Sequence, residues 1–184
     1  LNDALTLLNT LQRDTGGAVE AFEFMPRVYM DAYLKRFPEA RAPFDAMHDI
    51  NILVEVGALS PRDATPGNDG RVPVTAHLEE VLGRLFEEGA ILDAAVAQSD
   101  TQRAEMWARR EASAEVARLR QPLVDNDIAV PLDQIQTLLE QITEKSKSID
   151  PGLIPMCVAH LGDGNLHFAG WPSTDDPKVL KQIK

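Results

Sequence analysis

The sequence predicts an α+β fold, an antiparallel sheet with helices packed on one face. Three observations predict it. Short runs at Val19–Met25 and Asn51–Gly57 alternate between apolar and polar side chains, as half-buried strands do. Between such runs stand stripes of helical period, the clearest being Leu78, Val81, Leu82, Leu85 and Phe86. Near the end, an apolar run is turned back by Gly162-Asp163-Gly164-Asn165, as in a hairpin. The connections are too varied for a regular nucleotide-binding array, and no Gly-x-Gly-x-x-Gly follows the first strand.

In chain order, Leu1, Ala4, Leu5, Leu8 and Leu11 predict a first helix that Gly16-Gly17 ends. In the strand Val19–Met25, Phe22 and Phe24 share one face and Glu23 takes the other. Pro26 can open a helix to Phe37. Residues 38–49 read as loop. In Asn51–Gly57, Ile52, Val54 and Val56 share a face, with Leu53 and Glu55 opposite. Residues 60–71, rich in Pro and Gly, predict a surface loop. Thr75 is expected to cap the next helix and Gly89 to close it. Ala90–Gln98 reads as a third strand, and Asp100–Arg120 as one long helix through Trp107. Asp127–Val130 is a short extended piece ended by Pro131. Asp133 is expected to cap a helix carrying Ile135, Leu138, Leu139 and Ile142.

Composition narrows the classes. Hydrophobic residues make up 44% of the 184, enough for a core and too many for disorder. A formal charge of -11 argues against nucleic acid and anionic lipid as partners. No apolar run is long enough to span a bilayer. The single cysteine, Cys157, lies in the apolar strand and reads as a small buried hydrophobe; lone thiols fit a reducing compartment such as the cytoplasm. The chain opens on Leu1 and stops at Lys184 inside helical patterns, so a piece of a longer protein, cut short at its C-terminus, is expected.

The chemistry concentrates in the hairpin. If its loop is Gly162–Asn165, Leu161 pairs with Leu166 and His160 with His167, and two imidazoles stand side by side as a pair of metal ligands must. The bland alternative is two polar residues at the wet end of a hairpin. A phosphate-cradling turn is the weaker alternative, because neither a helix N-terminus nor a lysine follows. Glu23 and Glu55 could supply carboxylate ligands, although mid-strand glutamates more often carry salt bridges. His48 and His77 show no partner at ligand spacing. Trp107 and Trp171 read as core or contact residues.

The segment His160-Leu-Gly-Asp-Gly-Asn-Leu-His167 resembles the signature hairpin of the C-terminal domain of FAD-linked oxidases, the group of D-lactate, glycolate and D-2-hydroxyglutarate dehydrogenases in the vanillyl-alcohol oxidase superfamily. The likeness extends through Trp107-Ala-Arg-Arg110-Glu111 and Asp127-Ile-Ala-Val-Pro131, and takes in the strands around Phe22-Glu23-Phe24 and Leu53-Val54-Glu55. It implies a ferredoxin-like layout and a substrate-side domain covering 1–184. It also implies FAD held by a separate N-terminal domain, and a divalent metal such as zinc on His160 and His167. A later Glu-His-Gly segment, which this chain does not contain, would complete the metal site and supply the base. Arg110 would pair with the carboxylate of a small 2-hydroxy acid, and Asn165 would touch substrate. The resemblance leaves the electron acceptor open, and a homodimer is compatible with it.

Three departures stand out. Many relatives carry a lysine where this chain has Asp125, a small polar residue where it has Ala114, and an asparagine where it has Ala169. They point away from a dicarboxylate such as 2-hydroxyglutarate, toward a different 2-hydroxy acid. Two rival readings remain open from sequence: a non-enzymatic interaction module, and a metal-dependent hydrolase using the same two histidines with Glu23 or Glu55.

Overall fold

Strands β1 (Val19–Pro26), β2 (Ile50–Val56), β3 (Val124–Ala129), β4 (Ile154–His160) and β5 (Asn165–Trp171) form one antiparallel sheet in the order β2-β1-β4-β5-β3. The computed structural model describes residues 2–183; Leu1 and Lys184, the outermost positions of the terminal helical patterns, lie outside them. The helices are α1 (Asn2–Asp14), α2 (Arg27–Arg36), α3 (Pro61–Ala64), α4 (Pro73–Glu87), α5 (Asp100–Glu111), α6 (Ser113–Ala117), α7 (Ile135–Ile149) and α8 (Pro177–Ile183). The architecture is α+β, as the sequence predicts.

The helices cover both faces of the sheet, not one. On the first face, Phe22, Phe24, Ala159 and Phe168 pack against the apolar stripes of α1, α4 and α7. On the second, Met25, Leu53, Met156, Val158 and Trp171 pack against α2 and α6. The cause is visible in β4. Its residues are apolar in both directions, with Cys157 and Ala159 facing one way and Met156 and Val158 the other. A strand that is apolar on both sides needs cover on both sides.

Several local expectations give way to packing. Ala90–Gln98 forms no strand. That segment and the edge strand β2 line one cavity of about 450 Å³, so the segment lies beside β2 without pairing with it. The helix expected over 100–120 breaks at Ala112, which lets α6 turn Val116 into the second core, where it is fully buried. Ser99 caps α5 by accepting from the Gln102 amide at 3.3 Å. Helix α4 already starts at Pro73, so Thr75 sits inside its first turn, and Phe86 falls off its buried stripe. Leu132–Gln134 forms a 3-10 turn ahead of α7, and Asp133 makes no capping bond.

The sheet has one narrow join. β1 and β2 pair along their length, as do β4 and β5, and β3 and β5. β1 meets β4 only where Glu23 stands opposite His160 and Phe24 opposite Ala159.

Candidate metal and substrate site

The hairpin turns one step earlier than expected. Leu161–Asp163 forms a 3-10 turn and Gly164 follows in the left-handed region at φ 74°. The turn is possible only with glycine there, because a Cβ would lie 2.2 Å from the Val130 carbonyl oxygen. The backbone closes around it, with the Val130 amide donating to the Gly164 carbonyl at 3.0 Å. His160 therefore stands opposite Asn165, and Val158 opposite His167. The pairing of His160 with His167 expected from sequence is off by two residues. Side chains alternate with period two, so this slip keeps both histidines on one face. They become diagonal neighbours, with ring centroids 5.2 Å apart and planes at 74°.

A rung of paired residues runs across the sheet through this point: Leu53, Glu23, His160, Asn165 and Ala129. Glu23 and Arg110, 4% and 5% exposed, form a buried ion pair, Nε donating to the Glu23 carboxylate at 2.7 Å. His160 Nδ1 lies 3.0 Å from Glu23 Oε1 and 2.9 Å from Oε2. Arg110 also donates from Nη1 to Ser113 Oγ and from Nη2 to His160 Nε2, both at 3.2 Å. This network assigns the hydrogen to Nδ1 of His160 and a lone pair to Nε2. Two buried charges are tolerable here because each satisfies the other.

His167 has a looser version of the same arrangement. Its register partner is Asp127, whose Oδ1 is 3.6 Å from Nδ1. Burial holds the His167 pKa below its ordinary value, helped by Arg110 and His160 and opposed by Asp127 and Glu23. The shift favours the neutral ring, the form that binds metal.

His160 turns Nδ1 to a carboxylate within hydrogen-bond reach and has its Nε2 lone pair met by Arg110 Nη2, while His167 turns Nδ1 toward Asp127 at 3.6 Å, beyond hydrogen-bond reach. A carboxylate at Nδ1 is how histidine ligands are commonly held. Two imidazoles suit a divalent ion, but they are not a complete set. Among the described residues, no group of three or more His, Cys, Asp or Glu is arranged to hold a metal. Glu23 is engaged by Arg110 and His160. Glu55 is bound by Arg103 at 3.1 and 2.6 Å and by Trp107 Nε1 at 2.5 Å, which holds its pKa below the usual carboxylate range.

The remaining candidates fall into place. Arg110 reaches His160, yet it is buried and already serves three partners, leaving one N–H on each Nη. Asn165 sits on the His rung and is half-buried. Cys157 is buried, and its thiol is pushed up to about 12, an inert small hydrophobe. Trp171 is core, donating to the Ala117 carbonyl at 2.8 Å. His77 bonds the Asp14 carbonyl at 2.7 Å and His48 lies 3.7 Å from Asp93. Sequence reasoning missed Ser113 and the facing of His167 by Asp127. Only the β3–β5 register, which no local signal encodes, could have shown the latter.

Comparison with known proteins gives the family. The family model for FAD linked oxidases, C-terminal domain, matches residues 1–184. A protein of Oryza sativa subsp. indica named probable D-2-hydroxyglutarate dehydrogenase, mitochondrial, is 28% identical over 179 residues, covering 97% of this chain and 30% of the relative. The D-2-hydroxyglutarate dehydrogenase, mitochondrial, of Arabidopsis thaliana is 27% identical over 178 residues, with the same coverage, 97% and 30%. A D-2-hydroxyglutarate dehydrogenase of Xanthomonas citri pv. viticola is 28% identical over 150 residues, 82% of this chain and 29% of the relative. The chain thus spans less than a third of the length of these relatives. Among the described residues, no helix is long and apolar enough to cross a membrane.

Proposed function

The chain belongs to the family of FAD-linked oxidases, C-terminal domain, and from that premise we propose that it is the substrate-side domain of an FAD-dependent 2-hydroxy-acid dehydrogenase. The reaction is oxidation of a D-2-hydroxy acid to the 2-oxo acid. The partner is an N-terminal FAD-binding domain of the same protein. When bound, FAD supplies the hydride acceptor and a divalent ion, zinc in the resembling enzymes, supplies Lewis-acid polarisation of the substrate hydroxyl.

This chain's residues bind and orient. His160 and His167 would hold the ion through Nε2, and His160 would give up its bond from Arg110 Nη2 to do so. Glu23 keeps the His160 hydrogen on Nδ1. The two remaining N–H groups of Arg110 donate to the substrate carboxylate, a task suited to a planar guanidinium. Asn165, on the same rung, hydrogen-bonds a substrate oxygen. The third metal ligand and the base that takes the hydroxyl proton are assigned to a segment outside this chain. It follows that this polypeptide alone turns over no 2-hydroxy acid.

One observation carries the reading: two adjacent imidazoles on one face of the sheet, each with Nδ1 on the side of a carboxylate, at 3.0 Å for His160 and 3.6 Å for His167. The test uses the full-length FAD-loaded protein. Addition of a D-2-hydroxy acid under anaerobic conditions should bleach the flavin. His160→Ala or His167→Ala should lower kcat/KM by about a hundredfold or more and remove bound metal. Unchanged metal content and turnover in both variants would end the metal role. An unbleached flavin with every 2-hydroxy acid would end the proposal itself.

A further inference from the structure

A cavity of about 370 Å³ opens beside His167, between the second face of the sheet and α6. Its floor is a grid set by strand register. One row is Val158, His167 and Asp127; the next is Met156, Ala169 and Asp125. Successive same-face rows in a strand are about 7 Å apart, the span from the carboxylate end of a small hydroxy acid to its far end. The α6 side contributes Ala114 and Ala117. Beyond His167 the surface is thus mostly methyl and thioether groups, with Ser113 and Asn126 also in the lining and two exposed aspartates at the edge. Among the described residues, Arg118 is the one cationic residue in the lining; it is exposed, and its Nη1 lies 3.4 Å from the Ala114 carbonyl.

We propose that this cavity takes the tail of the substrate and selects a D-2-hydroxy acid whose tail is short, apolar and uncharged, discriminating against a second carboxylate. The inference rests on the functional reading above, which fixes the hydroxy-acid end at His160 and His167. A tail running from there lies over Ala169 and Met156, where hydrocarbon gains by leaving water. A terminal carboxylate would lose its hydration in that row and face Asp125, with no buried donor to receive it. The chain thereby departs from the substrate in its relatives' names.

The test compares substrates on the full-length FAD-loaded enzyme with a dye as electron acceptor. D-2-hydroxybutyrate and D-2-hydroxy-4-methylpentanoate should each exceed D-2-hydroxyglutarate in kcat/KM by about tenfold or more. Asp125→Lys should narrow that gap by about tenfold, by raising turnover of D-2-hydroxyglutarate. The wild-type ranking stands alone if the variant fails to fold. D-2-hydroxyglutarate as the best substrate would overturn the inference while leaving the functional reading intact. So would Arg118→Ala costing D-2-hydroxyglutarate turnover alone, since that arginine would then be the anchor for the second carboxylate. Turnover of no 2-hydroxy acid would remove both.

Discussion

The two faces of the sheet are built from the same strands and solve different problems. The first face is hydrocarbon throughout: Phe22, Phe24, Ala159, Leu166 and Phe168 under α1, α4 and α7. The second is hydrocarbon at one end, around Met156 and Trp171, and at the other holds Glu23, Arg110, His160 and His167. The first face holds through area removed from water, and no single partner is essential. The second adds to its own apolar core a linked set of bonds among Glu23, Arg110 and His160, in which each member is needed by the next. A sheet can therefore carry a buried polar cluster at one end of a face so long as apolar packing surrounds it.

The strongest way to break this contrast is to remove one member from each side. Phe168→Ala and Glu23→Ala should each destabilise the domain by about 3–5 kcal/mol in urea unfolding, the first by a cavity and the second by stranding Arg110. The faces then separate in rescue. Glu23→Leu combined with Arg110→Met should recover most of the loss, because an apolar pair of similar size replaces the ion pair. If the double variant is as unstable as Glu23→Ala, the network is not a self-contained unit.

Next comes the turn that presents the polar face. Gly164→Ala should cost about 1–3 kcal/mol, measured by the same unfolding, because the residue is left-handed and abuts Val130. A milder probe is Glu23→Gln, which keeps shape but donates as well as accepts. It should weaken zinc binding by the full-length protein about 10–100-fold in titration calorimetry. Imidazole nitrogen shifts should report a loss of the Nδ1-protonated tautomer at His160. An unmoved tautomer would leave Glu23 a purely structural ion.

The smallest effect is a pH slope confined to the second face. The folded pKa of His167 lies below its unfolded value of about 6.5, so the unfolded chain binds more protons as pH falls. This residue's contribution to stability is complete above that pH and is lost as pH falls through the folded pKa. His167→Gln should flatten the unfolding midpoint between about pH 7 and 5.

The contrast also explains what the sequence could reveal. The first face was legible because burial imposes period: Phe22 and Phe24 alternate, and Leu8, Leu11, Val81 and Leu85 recur at helical spacing. The hairpin was legible because Gly164 has a job that only glycine does. What stayed hidden was relational. Nothing near residue 23 says that Arg110 lies against it, and nothing near His167 names Asp127. The two-residue slip in the hairpin arose because Gly162-Asp163 and Gly164-Asn165 are equally good turn signals, and the 3-10 turn at Leu161 decides between them. The expected strand at Ala90–Gln98 failed for a related reason: apolar composition sets a willingness to pair, and the segment instead lies across a cavity from the edge strand β2.

The short meeting of β1 with β4 has a mechanical consequence. Two larger ribbons, β2-β1 and β4-β5-β3, are riveted together where Glu23 faces His160. The buried polar cluster and the shortest seam of the sheet are one place. An ion gripped at His160 would fasten the halves, and slower hydrogen exchange of the Phe24 and Ala159 amides on metal loading would register that clasp.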